Sequence, residues 1–358
     1  MQPLFFTAWS NRQRVTPLRL EACLRADDPV TAPKSAMNCP TFSVIVPVWN
    51  GARSIAQALD SVLAQTRPDW EAIVVDDASM DTTADIVRAY VRRDPRVRLI
   101  ERVRNGGAAS ARNDGLAAAT GEWLVVLDDD DWMAPDRLDR LHHAATSHGA
   151  DLIADDQYWV NEGEARPHGR LLDGFDRPRP CTVSAAEFVA SQPIHSPGGT
   201  PLGFVKPMVR RRVIAEYGIR YDPCLRVLED FFFMTALLEV AAPLVLLPYC
   251  GYHYLQRSGS ISKNSPPAYV RACIEAHQRW LDGHADEETT DLFRLMRERA
   301  EFLRERRLPA AVVRDFARRP TAAKALHLLA HPDIVLKTVA LSARRFLRRR
   351  STGMPARR

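Results

Sequence analysis

The sequence predicts an α/β fold with a mostly parallel sheet flanked by helices, followed by a basic helical region. Valine-rich apolar segments of strand length alternate with amphipathic segments of helix length between residues 42 and 127. Such continuous apolar runs are typical of parallel strands that are buried on both faces. The 358 residues are 46% hydrophobic and 26% charged, which excludes a disordered or collagen-like chain. Basic residues are concentrated towards the C-terminus.

Four strands separated by three helices are predicted before residue 128. The strands are assigned to Phe42–Val48, Glu71–Val75, Val97–Glu101 and Trp123–Leu127. The helices are assigned to Ser54–Gln65, Asp81–Arg92 and Gly107–Ala119. Apolar residues recur with helical spacing in the first of these helices. Alternation of this kind predicts an α/β domain.

The later elements follow from looser patterns. Helices are predicted at Pro135–Ser147 and Leu228–Val240, and strands at Asp151–Ala154, Leu244–Leu247 and Tyr249–Tyr254. The stretch Asn161–Pro180, rich in Gly, Pro and Arg, predicts a loop, and the chain beyond residue 266 predicts helices. Residues 1–40 lack a hydrophobic period and the pattern of a signal peptide. We therefore expect a poorly ordered extension at 1–40, a main domain at 41–265 and a helical basic region at 266–358.

Charge is unevenly distributed along the chain. Residues 294–358 contain 18 Lys and Arg but five Asp and Glu, a net charge of +13, whereas the whole chain carries +5. The segment Ile334–Arg350 has the pattern of a basic amphipathic helix suited to an anionic membrane surface. A solvated helical face is the alternative. No run of about 18 apolar residues is present to form a membrane-spanning helix.

The six cysteines indicate neither a disulfide framework nor a zinc site. None of them forms a Cys-x-x-Cys pair, and no cluster of Cys and His has the spacing of zinc ligands. Reduced thiols in a cytoplasmic protein are the interpretation that follows.

Two acidic motifs come directly after predicted strands. Asp76 and Asp77 follow the second strand, and Asp128–Asp131 follow the fourth. Ligands of open parallel sheets bind at the carboxyl ends of the strands. Asp128 and Asp130 would point to the same side of an extended backbone and offer the oxygen ligands that Mg²⁺ or Mn²⁺ takes. The alternatives are a helix-capping loop for the first motif and a solvated turn for the second.

Three further motifs carry less weight when each is taken alone. The stretch NGGAASARN places Arg112 one turn into a helix, where a guanidinium can bind phosphate. Glu229 and Asp230 begin a helix, a position where acids also stabilise the helix dipole. His253 and Arg257 lie in a segment suited to a diphosphate, or in an ordinary polar loop. The sequence has no Gly-x-Gly-x-x-Gly or P-loop motif, which argues against dinucleotide oxidoreductases and P-loop NTPases.

In their order along the chain, these motifs resemble the family 2 inverting glycosyltransferases, which have the GT-A nucleotide-sugar transferase fold. The resemblance extends from about Phe42 to Ser262 and rests on the runs PVWN, VVDDAS, NGGAASARN, LDDDD, LED and HYLQRSGSIS. The stretch Gly203–Arg212 (GFVKPMVRRR) and the tail resemble, more narrowly, bacterial exopolysaccharide glucosyltransferases of the succinoglycan type.

The resemblance implies a role for each motif. Asp230 would be the catalytic base, and Asp130 with Asp128 would hold Mg²⁺ or Mn²⁺. The residues implied to bind the nucleotide-sugar are Pro47, Trp49, Asn50, Asp77, Arg112, Asp128, Asp129, His253 and Arg257. Trp49 stands where the family commonly has tyrosine, and Asp129 stands where it usually has a small residue.

The resemblance also implies an activity and a setting. The protein would transfer one sugar, glucose from UDP-glucose, to a lipid diphosphate-linked oligosaccharide in exopolysaccharide biosynthesis. It would add one sugar per encounter, because the Gln-x-x-Arg-Trp motif and the spans of processive synthases are absent. It would be cytoplasmic and peripheral at the inner face of the bacterial cell membrane, where its lipid-linked acceptor is carried. A catalytically silent subunit that binds sugar nucleotide or polysaccharide is the alternative. A nucleotidyltransferase would need a Gly-rich loop that Pro47–Arg53 lacks, and no motif supports a nucleic-acid partner.

Overall fold

The computed structural model describes residues 40–318, apart from 165, 176–179, 196–199, 242 and 258–264, and in addition Leu336. The strands in this part of the chain are β1 (Phe42–Val48), β2 (Trp70–Asp76), β3 (Val97–Glu101), β4 (Trp123–Val126), β5 (Trp132–Met133), β6 (Leu152–Asn161), β7 (Gly169–Arg170), β8 (Cys181–Val183), β9 (Met208–Arg210) and β10 (Leu244–Gln256). The α-helices are α1 (Ile55–Leu63), α2 (Thr83–Arg93), α3 (Ala108–Ala118), α4 (Arg137–His148), α5 (Ala185–Ala190), α6 (Arg211–Tyr217), α7 (Glu229–Val240), α8 (Pro267–Gly283), α9 (Asp291–Phe302) and α10 (Leu308–Arg318). The predicted basic helix at 334–350, except for Leu336, and the extension before residue 40 lie outside the described residues.

These strands join one sheet in the order β3–β2–β1–β4–β9–β6–β10–β5, with β7 beside β6 and β8 beside β10. β1 is parallel to both β2 and β4, and β2 is parallel to β3. β9 runs antiparallel between β4 and β6, and β6 and β10 are parallel to each other. The predicted α/β fold, with a mainly parallel sheet flanked by helices, is confirmed.

The valine-rich strands form the centre of two hydrophobic layers. Every residue of β1 and β2 is buried. Ile45 and Ile73 contribute to the layer on one face of the sheet, whereas Val44, Val46 and Val74 contribute to the layer on the other. Successive side chains of a strand point to opposite faces, so a strand covered on both faces has an apolar run and not an alternating pattern.

Helix α3 approaches β1 closely because of a glycine. A Cβ atom at Gly115 would collide with the Ile45 side chain on β1. The missing side chain therefore lets α3 lie directly on the sheet. This contact sets the distance between β1 and Arg112, which is on the same helix.

Two sequence predictions beyond residue 160 were wrong, and no element was predicted where β8, α5, β9 and α6 lie. Leu244–Leu247 and Tyr249–Tyr254 are not separate strands but parts of β10, which passes through Pro248 with register shifts near Cys250. A proline removes one ladder hydrogen bond, and the irregular register accommodates that loss. The predicted loop Asn161–Pro180 contains the two-residue strand β7, which pairs with β6.

The helices after residue 266 pack onto the same core as the sheet. Trp280 of α8 and Met296 of α9 belong to the hydrophobic cluster that also contains Phe188 and Phe231. His284, which follows α8, lies 3.1 Å from Glu239 of α7. Within the residues that the structure describes, no helix has the length and apolar character needed to cross a membrane.

Candidate active site

Loops at the carboxyl ends of β1, β2 and β4 form one edge of the site. The N–H of Asn50 donates to Ser79 Oγ at 2.8 Å, and the amide oxygen of Asn50 accepts from the N–H of Met80 at 2.8 Å. Ser54 Oγ donates to Asp129 Oδ2 at 3.0 Å. Side chains and backbone of three sequence motifs are thus joined at the sheet edge where open α/β folds bind ligands.

Left-handed backbone at non-glycine residues is confined, in the described chain, to three positions in loops of the site. The φ angle is 52° at Asn50, 61° at Ala78 and 65° at Leu228. Each such residue costs roughly 1–2 kcal/mol, and backbone of this kind clusters at functional sites. Leu228 precedes Glu229 directly, so the chain accepts this cost where α7 begins.

The acidic run Asp128–Asp131 is a tight turn and not a continuation of β4. The strand ends at Val126, and the N–H of Asp131 donates to the carbonyl of Asp128 at 3.1 Å. The expectation that Asp128 and Asp130 share one side of an extended backbone is therefore wrong. Asp130 Oδ2 instead lies 3.2 Å from Arg257 Nε, whereas Asp128 has other partners.

Two cations and two carboxylates form a closed ring at the centre of the site. Arg112 lies 2.8 Å from Asp128 Oδ1 and 3.0 Å from Asp230 Oδ1. Lys206 Nζ lies 2.8 Å from Asp128 Oδ2 and 3.0 Å from Asp230 Oδ2. We call Arg112, Asp128, Lys206 and Asp230 the charge ring. Glu229 adds a third carboxylate on Arg112, at 3.0 Å.

Burial and ion pairing act against each other within the charge ring. Burial disfavours the ionised form of Asp128, but Lys206 and Arg112 outweigh it and hold the pKa of this carboxyl below its usual value. Burial also acts against the charges of Arg112 and Lys206, and the nearby carboxylates nevertheless hold the pKa of both groups above their usual values. Asp128, Arg112 and Lys206 are therefore charged at neutral pH.

The other acids of the turn, Asp129, Asp130 and Asp131, have fewer cationic partners than Asp128 has. Burial, together with the adjacent Asp130, raises the pKa of Asp129 to about 7. Burial and its acidic neighbours also raise the pKa of Asp130. Asp131 is enclosed and accepts hydrogen bonds from the Tyr252 hydroxyl at 2.7 Å and the Leu255 N–H at 2.8 Å. Asp131 thus fixes the turn to β10, and Asp129 and Asp130 stay available for a ligand.

Asp77 lies at the predicted edge, and its carboxylate already has protein partners. The N–H groups of Gly106 and Gly107 donate to it at 2.8 and 2.6 Å, and Arg102 pairs with it. These contacts connect the end of β2 to the start of α3. Each carboxylate oxygen has two acceptor lone pairs, and a hydrogen bond from the N–H of uracil to Asp77 stays a prediction.

Pro47 and Trp49 occupy the end of β1. Pro47 is buried within the strand, whereas Trp49 beyond it is 51% exposed. An exposed indole can stack on a planar ligand. The roles in base and ribose binding that the resemblance implies for these residues and for Asn50 stay predictions.

His253 and Arg257 are both near the acidic turn. The His253 ring stacks on Trp132 with centroids 5.1 Å apart, and burial lowers the pKa of this imidazole. Its Nδ1 is buried and has no hydrogen-bond partner among the described residues. Arg257 pairs with Asp130. Their role beside a diphosphate stays a prediction, and Ser258, Ser260 and Ser262 lie outside the described residues.

Comparison with known proteins decides the family. Residues 43–196 match the model of "Glycosyl transferase family 2". The chain is 34% identical over 254 residues to "Succinoglycan biosynthesis protein ExoO" of Rhizobium meliloti (strain 1021), covering 71% of each chain. The chain belongs to glycosyltransferase family 2. It is also 32% identical over 243 residues to "Succinoglycan biosynthesis protein ExoU" of the same organism, covering 67% of this chain and 69% of the relative.

A solved structure agrees with the fold of this family 2 member. The S. aureus TarS fragment 1–349, in complex with UDP, superimposes with a TM-score of 0.57 at 22% sequence identity. The superposition covers 83% of this chain and 80% of TarS 1–349. At this identity the likeness establishes the GT-A fold alone.

Family 2 glycosyltransferases commonly use a divalent cation, and the acidic turn suits one. The Asp130 side chain is 29% exposed. Burial and the repulsion of neighbouring carboxylates raise the pKa values of Asp129 and Asp130, and a cation would offset both effects. Among the described residues, no three His, Cys, Asp or Glu side chains converge as a preformed metal cage. Mg²⁺ is typically held by one or two carboxylates together with substrate phosphates, and Asp130 with Asp128 or Asp129 fits that pattern.

Sequence reasoning about this family 2 site missed Lys206. The sequence places it in a short irregular stretch between Gly203 and Arg212, where no period marks an element. One signal was available in the sequence, because five lysines occur among the 49 Lys and Arg residues and Lys206 is the only lysine between positions 35 and 262. A lone lysine where arginine is otherwise used indicates a position that needs a compact cation.

Proposed function

We propose that the protein is an inverting glycosyltransferase that moves a single sugar from a UDP-sugar to an acceptor hydroxyl, with Asp230 as the catalytic base. One observation carries this proposal. Asp230, in the first turn of α7, lies across the charge ring from Asp128, which follows β4. Such a reaction needs a carboxylate that serves as base for the acceptor. It also needs acidic residues at the sheet edge that help to bind the sugar donor.

The chemistry requires one proton transfer and one displacement. Asp230 takes the proton of the acceptor hydroxyl while the hydroxyl oxygen forms a bond to the anomeric carbon. The bond from that carbon to the diphosphate breaks, and its electron pair leaves with the β-phosphate of UDP. Attack on the face opposite the leaving group inverts the anomeric carbon, and no covalent enzyme intermediate forms.

The residues at the sheet edge would bind the donor. Asp130, with Asp128 or Asp129, would hold Mg²⁺ or Mn²⁺, which when bound offsets the negative charge of the leaving diphosphate. Arg257 and His253 would flank that diphosphate. Trp49 would stack on the base, and Asp77 would accept a hydrogen bond from uracil.

We further propose UDP-glucose as the donor and a lipid diphosphate-linked oligosaccharide as the acceptor, at the inner face of the cell membrane. The names of two relatives, both succinoglycan biosynthesis proteins, support an exopolysaccharide acceptor. The structural neighbour in complex with UDP supports a uridine nucleotide. The basic residues beyond 294 would meet the anionic lipids that carry such an acceptor.

The test is release of UDP from a panel of UDP- and GDP-sugars by the purified protein, with Mg²⁺, Mn²⁺ or EDTA. We expect slow, metal-dependent release of UDP from UDP-glucose, and β-glucose as the first product from the α-linked donor. In Asp230→Asn, release should fall by about 10²–10⁴-fold because the base is lost, while UDP binding stays within about threefold.

Asp291→Asn is the matched control, because Asp291 is an exposed acid in the first turn of α9. It should release UDP at the parental rate. Unchanged turnover in Asp230→Asn would remove Asp230 from the role of base. UDP binding without release from any sugar, even with membrane lipid extract as acceptor, would favour the silent binding subunit.

A further inference from the structure

We propose that Lys206 is a positioning residue for sugar transfer: its ammonium fixes the carboxylate plane of Asp230 relative to Asp128. This inference rests on the proposed role of Asp230 as the base. Lys206 does not need to touch either substrate for this purpose.

The pattern of contacts in the charge ring supports this role. Arg112 binds the Oδ1 atoms of both aspartates, whereas Lys206 binds both Oδ2 atoms. A single cation on one oxygen would leave a carboxylate free to rotate about its Cβ–Cγ bond. Two cations, one on each oxygen, fix the plane. Each oxygen of Asp230 keeps a second lone pair for an acceptor hydroxyl, and 29% of the Asp230 side chain is exposed.

Buried groups also fix the backbone of Lys206. Its backbone carbonyl accepts a hydrogen bond from Arg137 Nη2 at 2.6 Å. Arg137 is fully buried and paired with Asp155 at 2.8 Å, and its guanidinium lies 5.0 Å from the ring centroid of Tyr252. One buried arginine therefore supports both Lys206 and the tyrosine that binds the acidic turn.

The choice of lysine has a physical reason. The Lys206 side chain is 8% exposed and its Nζ contacts two carboxylates of different elements. An ammonium is a compact cation with three donors, whereas a guanidinium is a wide planar fork. Arginine is used almost everywhere else in this chain, and an arginine at 206 would enlarge the ring and push Asp230 from its place.

The consequence concerns turnover more than binding. A base that is displaced by about 1 Å can lose on the order of 10²-fold in rate. Loss of Lys206 should therefore lower kcat while donor affinity changes little. Loss of a residue that merely binds the nucleotide would raise KM instead.

The experiment compares Lys206→Met and Lys206→Arg with the parent, using kcat and KM for UDP-glucose hydrolysis and the Kd of UDP. We expect kcat to fall about 10–100-fold in both variants, with KM and the Kd of UDP within about threefold. Arg212→Met is the matched control, because Arg212 is an exposed cation of the same region that pairs with Asp151. It should leave both constants at the parental values.

A double-mutant cycle identifies the partner through which Lys206 acts. In an Asp230→Asn background, Lys206→Met should lower the residual kcat by less than about threefold, because the group that it positions is gone. Equal losses in both backgrounds would overturn the proposal, as would a kcat within threefold of the parent in Lys206→Met.

Further measurements distinguish a folding defect from a failure of the proposed function and from a failure of the proposal for Lys206. Urea unfolding of each variant shows whether the fold is kept, and Lys206→Gln serves as a second neutral variant. Loss of the folded state in both neutral variants would overturn a positioning role. If Asp230→Asn keeps parental turnover, the proposed function fails. If Asp230→Asn is inactive while Lys206→Met is not, the proposal for Lys206 alone fails.

Discussion

Arg112 binds carboxylates from two separate parts of the chain. It pairs with Asp128 after β4 and with Glu229 and Asp230 at the start of α7. The guanidinium is buried and lies 5.3 Å from the ring centroid of Tyr221. The predicted nucleotide-binding arginine is therefore also the group that joins the two halves of the site.

We predict that Arg112→Met lowers the free energy of unfolding by about 3–5 kcal/mol, because Glu229 loses its cationic partner while Asp128 and Asp230 keep only Lys206. Arg112→Lys keeps the charge but cannot span three carboxylates, so we expect a smaller loss of stability together with a loss of UDP release. Urea denaturation measures the first effect, and the donor panel measures the second.

Arg88→Met is the control for Arg112, because Arg88 forms ion pairs that are exposed to solvent. Exposed pairs contribute little to stability, so this variant should unfold like the parent. Parental stability in Arg112→Met would contradict a structural role for the charge ring.

Helices α7 and α8 meet around a buried histidine. His277 of α8 packs against Phe231 and Phe232, with ring centroids 5.8 and 4.8 Å apart. Its ring nitrogen Nδ1 lies 2.7 Å from the carbonyl oxygen of Cys273. Burial, reinforced by the charge of Arg299, lowers the pKa of this imidazole to about 3. The helix that carries Asp230 is thus packed against a histidine that stays neutral.

We predict a stability loss at acidic pH that arises at His277. Its folded pKa of about 3 lies below the unfolded value of about 6.5, so between these values the unfolded chain binds a proton that the folded chain does not. The contribution of His277 to the free energy of unfolding is fully present above about pH 6.5 and is lost progressively as the pH falls. Lowering the pH from 7 to 5 should cost about 2 kcal/mol at this site.

The measurement is urea unfolding of the parent and of His277→Gln at pH 7 and pH 5. Glutamine is neutral at both values, so the variant should lose about 2 kcal/mol less than the parent over this interval. Groups elsewhere titrate alike in both proteins and cancel in the difference. Equal pH dependence in the two proteins would show that His277 takes up its proton as readily in the folded protein as in the unfolded chain.

Electrostatic asymmetry is a property of the whole molecule. The region after residue 293 carries a net charge of +13 within a chain of net charge +5, so the remaining body is acidic. An acidic body and a basic tail would orient the molecule at an anionic surface.

We predict that removing residues 344–358, which contain seven arginines and no acidic residue, weakens binding to phosphatidylglycerol vesicles at low salt. Each basic residue near the surface contributes about 1 kcal/mol, and salt screens the attraction. Vesicle sedimentation in low and high salt measures the effect, with phosphatidylcholine vesicles as the control. Equal sedimentation of both forms would favour the solvated-face interpretation.

Much of this protein is determined by local sequence patterns. The alternation of apolar strands and amphipathic helices established the α/β class, and the ends of β1 and β3 agree with the sequence prediction. The motifs that follow β1, β2, β3 and β4 predicted the edge of the sheet where the candidate site lies. Such features depend on residues a few positions apart, and the sequence shows these short spacings directly as a periodic pattern.

The arrangement of charges inside the site was decided by tertiary structure. Lys206 meets Asp128 and Asp230 from positions 78 and 24 residues away, and the three-residue strand β9 beside it is too short for a hydrophobic period to reveal. The different surroundings of Asp129, Asp130 and Asp131 likewise follow from the turn and from the hydrogen bond of Tyr252 to Asp131. Coulomb interactions and desolvation depend on distance in space, so a sequence supplies the charged groups and only the fold decides which of them meet.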